Sequence, residues 1–218
     1  MISRRQMIAS SSALAALGVS SAARAQGATC AVFDKSSQAA TSPDQALARL
    51  KEGNERFSNG KTVNCDLMSQ VKATSGQQSP VACVVGCIDS RVPPELVFDQ
   101  RLGDIFAARV AGNFVNTDII GSLEFATKLA GAKVIVVLGH TECGAIKGAV
   151  DDAKLGNLTA TLANIRPSLT KLNYSAMPSS KNKELVQRVA DQNARDAAAN
   201  LTAKSEVLSE LVKEGKLK

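Results

Sequence analysis

Apolar positions change their spacing along this chain, and each change marks an element. Ala46, Leu47, Leu50 and Phe57 recur at helical intervals, which predicts an amphipathic helix. Ser42-Pro43-Asp44 starts it, a capping residue followed by proline at the first helical position, and Asn59-Gly60 stops it. From Val81 to Gly86 the pattern becomes a continuous apolar run, as expected of a strand buried on both faces. Ile105 to Val110 reads as a second strand and Lys133 to Leu138 as a third, the strongest of the set. Pro93-Pro94-Glu95 opens a short helical turn. Thr117 to Leu129 carries Ile119, Ile120, Leu123, Phe125 and Ala126 at helical spacing, with Gly131 after it. The remainder predicts helices over 144–154, 158–172 with an interruption near Pro167, and 182–213.

Strands alternating with helices imply parallel pairing through right-handed crossovers. The fold class expected is α/β, a central parallel β-sheet flanked by helices on both faces. No internal repeat or linker divides residues 43–218, which form one expected domain, and residues 26–42 read as a flexible lead-in.

Residues 1–25 have the texture of a cleavable signal peptide. A basic start containing Arg4-Arg5 precedes a mildly apolar stretch from Ile8 to Val19, and Ala23-x-Ala25 fits a small-residue cleavage site. The paired arginines resemble a twin-arginine export signal, a route that carries folded proteins, so the mature chain is expected in the periplasm. The apolar stretch is too short and weak to span a bilayer, and no membrane partner is expected once the leader is removed.

Composition narrows the partners. Apolar residues make up 44% of the 218 and aromatics 3%, so the core is built from Ala, Val, Leu and Ile. The net charge of +6 is partly a property of the leader: without Arg4, Arg5 and Arg24, 23 basic residues face 20 acidic ones. No dense basic run with interleaved aromatics remains, which argues against a nucleic-acid partner.

The candidate chemistry lies in two short segments, each just past the carboxyl end of a predicted strand, where open parallel sheets place their ligands. They are Gly86-Cys87-Ile88-Asp89-Ser90-Arg91 and Gly139-His140-Thr141-Glu142-Cys143-Gly144. Alone, a histidine after a buried strand is ordinarily a packed residue, and a lone cysteine a small hydrophobe. Together, Cys87, His140 and Cys143 offer two thiolates and an imidazole. That set suits one tetrahedral zinc ion per chain with its fourth position open to solvent. Asp89 and Arg91, two apart in a turn, can point toward the same cavity.

The pattern Cys87-x-Asp89-Ser90-Arg91, followed by His140-x-x-Cys143-Gly144, resembles the β-class carbonic anhydrases. The likeness runs from about Ala46 to Lys218 and includes Arg109-Val-Ala-Gly-Asn113 and Gly121-Ser-Leu-Glu-Phe125. It implies a Cys₂His zinc site, reversible hydration of carbon dioxide to bicarbonate, and a homodimer or higher even oligomer with the site near the subunit interface. It gives Asp89 two possible roles, pairing with Arg91 or occupying the metal's fourth position. It also implies a substrate pocket formed by Phe106, Ala111 and Phe125, with Gln78 and the backbone near Gly112 touching substrate oxygens. Bare spacing would instead place Phe106 and Phe125 in the core. Val84 stands where allosteric bacterial members carry Trp, so their regulatory bicarbonate site is not expected, although Arg109 matches it. A CS₂ or COS hydrolase of the same fold, or a zinc-binding protein without catalysis, are the rival readings.

Cys83 is expected in the core. Cys30 and Cys65 can form a disulfide in an oxidising compartment or stay free. Glu214-Gly-Lys-Leu-Lys218 resembles the phrase that leads relatives into a final edge strand, which this sequence lacks.

Overall fold

Three strands, β1 (Ala82–Gly86), β2 (Ile105–Arg109) and β3 (Val134–Leu138), form one parallel sheet in the order β2-β1-β3. The computed structural model describes residues 30–218, so the expected leader and the first lead-in residues lie outside the described residues. β1 is central and buried at every position, which explains why its sequence is apolar without alternation. Gly86 stands opposite both Arg109 and Leu138. All three strands therefore end level, and the loops that follow them leave from one edge of the sheet.

Helices cover both faces, as the alternation of elements predicts. Ala82 and Val84 pack with Ala46 and Leu50 of α2 (Pro43–Ser58) and with Val97 of α4 (Pro94–Val97). Cys83 and Val85 face Ile120 and Leu123 of α5 (Thr117–Glu124) and Leu208 and Leu211 of α10 (Glu206–Lys213). Each large aliphatic side chain buried this way contributes about 1.5–3 kcal/mol. α2 lies so close to the end of α4 that a Cβ on Gly53 would sit 1.8 Å from the Phe98 carbonyl oxygen. A third cluster joins Cys87 and Cys143 to Ile146, Ile165, Leu185 and Val189. These come from α6 (Gly144–Val150), the turn between α7 (Gly156–Ala163) and α8 (Arg166–Lys171), and α9 (Lys183–Lys204).

Several boundaries differ from expectation, each for a local reason. The described part of the lead-in includes a helix and contacts with the rest of the domain. Its helix α1 (Lys35–Ala40) is capped reciprocally by Asp34 and Ser37, and buried Gln38 donates to the carbonyls of Pro80 and Ala130 at 2.6 and 2.8 Å. Cys30 and Cys65 form a disulfide that ties this segment to the loop before α3 (Leu67–Thr74). The helix expected over 117–129 is α5 extended by a π-helical turn, Phe125–Leu129. The helix expected over 144–154 stops at Val150, and Pro167 sits at the start of α8 rather than inside a longer helix. The stretch 182–213 is two helices, because Ser205 is extended, accepts from the Leu208 amide at 3.1 Å and donates to Glu124 Oε1 at 2.5 Å. At the outer edge of β3, the Lys218 amide donates to the Lys133 carbonyl at 3.1 Å and its carbonyl accepts from Ile135 at 2.9 Å.

Candidate metal centre

The level strand ends place the two chemical segments side by side. Cys87 follows β1 directly, and His140 follows β3 by one residue, Gly139. The second loop turns through a left-handed Glu142, φ 56°, and delivers Cys143 to the start of α6. Cys87 Sγ and Cys143 Sγ lie 3.9 Å apart, and these sulfurs and a ring nitrogen of His140 lie within 4.8 Å of one another. Two sulfurs at ~2.3 Å from one tetrahedral zinc would be ~3.8 Å apart.

The histidine is oriented for the same task. Its Nδ1 lies 2.9 Å from the Thr141 carbonyl oxygen, which can only accept, so Nδ1 carries the proton. Nε2 is then a bare lone pair, buried and without a hydrogen-bond partner. A buried acceptor left unpaired is costly, and an ion shared with the two sulfurs removes that cost. Both sulfurs sit in a nearly solvent-free pocket, Cys87 4% and Cys143 1% exposed. Burial pushes the Cys143 thiol up to about 11, which in the absence of a cation keeps it protonated. The residues present fit zinc.

Asp89 and Arg91 form a bidentate pair beside the sulfurs. Arg91 Nε donates to Oδ1 at 2.9 Å and Nη2 to Oδ2 at 2.7 Å, and the Arg91 amide adds a third bond to Oδ1 at 2.9 Å. The Arg91 side chain, and then its amide, hold the Asp89 carboxyl well below the usual carboxylate range. Oδ2 is 3.9 Å from His140 Nε2, so the carboxylate borders the metal cluster. Arg91 Nη2 also reaches the Glu142 carbonyl at 3.4 Å, linking the two loops.

Two contacts were not legible in the sequence. Arg109, at the end of β2, donates to the main-chain oxygens of Cys87 and Asp89 at 2.8 and 2.6 Å and so fixes the first loop. Gly112 points its amide at Cys87 Sγ, 3.3 Å away, rather than into open space for substrate. Its neighbour Ala111 is half-buried at the same strand end.

The remaining pocket residues fall elsewhere. Phe106 and Phe125 meet edge to face, ring centroids 6.3 Å apart. They line an apolar recess of about 700 Å³ with Ala107, Ala108, Ile119 and Ala126, along the outer edge of β2. None of Cys87, His140 and Cys143 lines that recess. Gln78 is exposed and precedes β1, whereas the metal ligands follow it. The strand between spans roughly 20 Å, so Gln78 of this chain does not reach its own metal centre.

Comparison with known proteins places the chain. A family model described as carbonic anhydrase matches residues 82–218. Carbonic anhydrase 2 of Mycobacterium tuberculosis is 35% identical over 183 residues, covering 81% of this chain and 86% of that protein. Among solved structures, the β-carbonic anhydrase CcaA superposes with a TM-score of 0.61 at 26% identity, over 78% of this chain and 79% of that one. The β-carbonic anhydrase CafA of Aspergillus fumigatus gives 0.59 at 26% identity, over 80% and 82%. With a parallel sheet flanked by helices and the Cys-His-Cys cluster at its strand ends, this chain belongs to the β-class carbonic anhydrase family.

Proposed function

We propose that the chain hydrates carbon dioxide reversibly at one zinc ion held by Cys87, His140 and Cys143. The observation that carries this reading is the sulfur pair at 3.9 Å facing a bare, buried Nε2. Zinc supplies Lewis acidity, drawing the ionisation of water from a pKa of ~15.7 toward ~7.

The chain's own residues position the reactants. Asp89 Oδ2 accepts a hydrogen bond from the attacking oxygen, which turns a lone pair of that oxygen toward the carbon of CO₂, and the proton released as bicarbonate forms passes to solvent or buffer. Arg91 holds the carboxylate in that orientation and keeps it ionised, so it accepts and never donates. Bidentate pairing with Arg91 supports the arrangement in which Asp89 leaves the fourth position free. Among the described residues the donor cluster has three members, which favours an open, catalytic site over a closed structural one.

The apolar recess lies along β2, whose outer edge is unpaired among the described residues. We read that edge as the homodimer contact. A two-fold axis perpendicular to the sheet at that edge sets the two strands antiparallel, so the start of one sheet meets the finish of the other. That geometry gives Gln78 of the partner subunit, together with Phe106 and Phe125, a route to this chain's site.

The Cys30–Cys65 disulfide supports an oxidising compartment, consistent with export to the periplasm. Among the described residues no helix is long and apolar enough to cross a membrane. Metal analysis paired with stopped-flow CO₂ hydration on one preparation tests the assignment. One zinc per chain, and turnover that vanishes with the metal, are the outcomes expected; full turnover without zinc would refute it.

A further inference from the structure

We propose that Asn193 is a positioning residue for the metal centre, acting through Gly112 to fix an N–H···S hydrogen bond on Cys87. The inference rests on the zinc reading and concerns this chain's own residues. Asn193 lies on α9, only 2% exposed, among the apolar Val189, Ala190 and Ala197. A carboxamide buried in such a stripe weakens the helix's packing unless its polar atoms are used.

Its Nδ2 donates to the Gly112 carbonyl at 2.7 Å. On the other side of the same residue, the Gly112 amide donates to Cys87 Sγ at 3.3 Å. Gly112 is locked in between. Its φ is +83°, and a Cβ there would meet Ile165 Cδ1 at 2.4 Å. The Asn113 amide closes the turn on the Val110 carbonyl at 3.0 Å.

α9 also abuts the second metal arm. A Cβ on Gly139, the residue before His140, would lie 3.5 Å from Ala194 Cβ and 3.8 Å from the Ala190 carbonyl. One rigid helix thus sets the position of both loops. An amide aimed at a thiolate orients the sulfur's remaining lone pairs and draws charge from it. With two thiolates on one cation, that withdrawal preserves the metal's acidity.

The test uses the full chain loaded with cadmium-113, whose nuclear spin reports a hydrogen bond to a ligating sulfur as a scalar coupling to the amide proton. The wild-type protein is expected to show that coupling at Gly112. Asn193→Leu is expected to lose it and to bind zinc about 10–100-fold more weakly in chelator competition at fixed pH. Leu201→Ala, two turns later on the same helix and packed away from the metal cluster, is expected to lower thermal stability while keeping both coupling and affinity. If Asn193→Leu does not fold, Asn193→Ser, whose hydroxyl stops short of the Gly112 carbonyl, provides the comparison with the same expected losses. Stoichiometric cadmium binding without coupling at Gly112 overturns the proposal and leaves the metal reading standing, as does a variant at 193 with wild-type coupling and affinity. Failure of the wild-type protein to bind cadmium or zinc overturns both.

Discussion

Arg109 Nη2 donates to the Asp89 main-chain oxygen at 2.6 Å, while the Asp89 carboxylate is gripped separately by Arg91. One arginine holds the backbone of the loop after β1 and the other holds the Asp89 side chain. Arg109→Met keeps the aliphatic stem and removes two charge-assisted bonds. It is expected to cost about 2–3 kcal/mol in thermal unfolding and to lower kcat/KM roughly tenfold or more with zinc content unchanged. Wild-type turnover in this variant would show that the loop needs no such clamp.

The guanidinium of Arg109 is committed to those carbonyls, and Val84 is fully buried against α2. We expect neither to bind a regulatory anion. Titrating activity against bicarbonate at pH 7 is expected to give simple product inhibition, and a cooperative shutdown would contradict this.

Asp89→Ala removes the acceptor without touching a thiolate or the imidazole. Zinc content is expected to stay near one per chain while turnover falls roughly 100-fold, the upper range for a residue beside a metal ligand set. Cys87→Ser, His140→Ala and Cys143→Ser are each expected to lose metal and activity together. Zinc loss in Asp89→Ala would make this aspartate a ligand instead.

The sheet and the Cys-His-Cys cluster could be read from the sequence because each is encoded locally. A strand buried on both faces has to be continuously apolar, as β1 is, and Cys87 stands directly past it, while His140 and Cys143 lie two and five residues past the end of β3. What was not legible depends on distant partners. The apolar pattern passes through Ser205 unbroken, and the helix ends there because Ser205 bonds Glu124 from another layer. Asn193 looks like a solvated helical residue until α9 is laid against Gly112. Gln78 matches a family position by sequence, yet β1 carries it to the end of the sheet opposite the metal ligands.

Cys83 gives a pH-dependent signature away from the metal. Burial pushes its thiol up to about 12 from an ordinary value of 9.0. A raised folded pKa means the buried neutral thiol stabilises fully below about pH 9 and loses that contribution as pH climbs toward 12. The loss is about 1.4 kcal/mol per pH unit within the window. Cys83→Ala is expected to cost about 1 kcal/mol at pH 7 and to unfold less steeply with pH than wild type between 9 and 11. Parallel pH profiles for the two proteins would contradict it.

The Cys30–Cys65 link closes a loop with a sequence separation of 35 residues. Reduction, or replacement of both cysteines by serine, is expected to lower stability by about 2–4 kcal/mol. Zinc content and kcat are expected to be unchanged, because neither cysteine borders the metal cluster. Equal thermal unfolding curves with and without reductant would mean the bridge is absent or idle.

Zinc K-edge X-ray absorption on the zinc-loaded protein probes the coordination shell itself. Two sulfur scatterers at ~2.3 Å and two nitrogen or oxygen scatterers at ~2.0–2.1 Å are expected. A shell without sulfur, or with four sulfurs, would contradict the convergence of Cys87, His140 and Cys143 on a single ion.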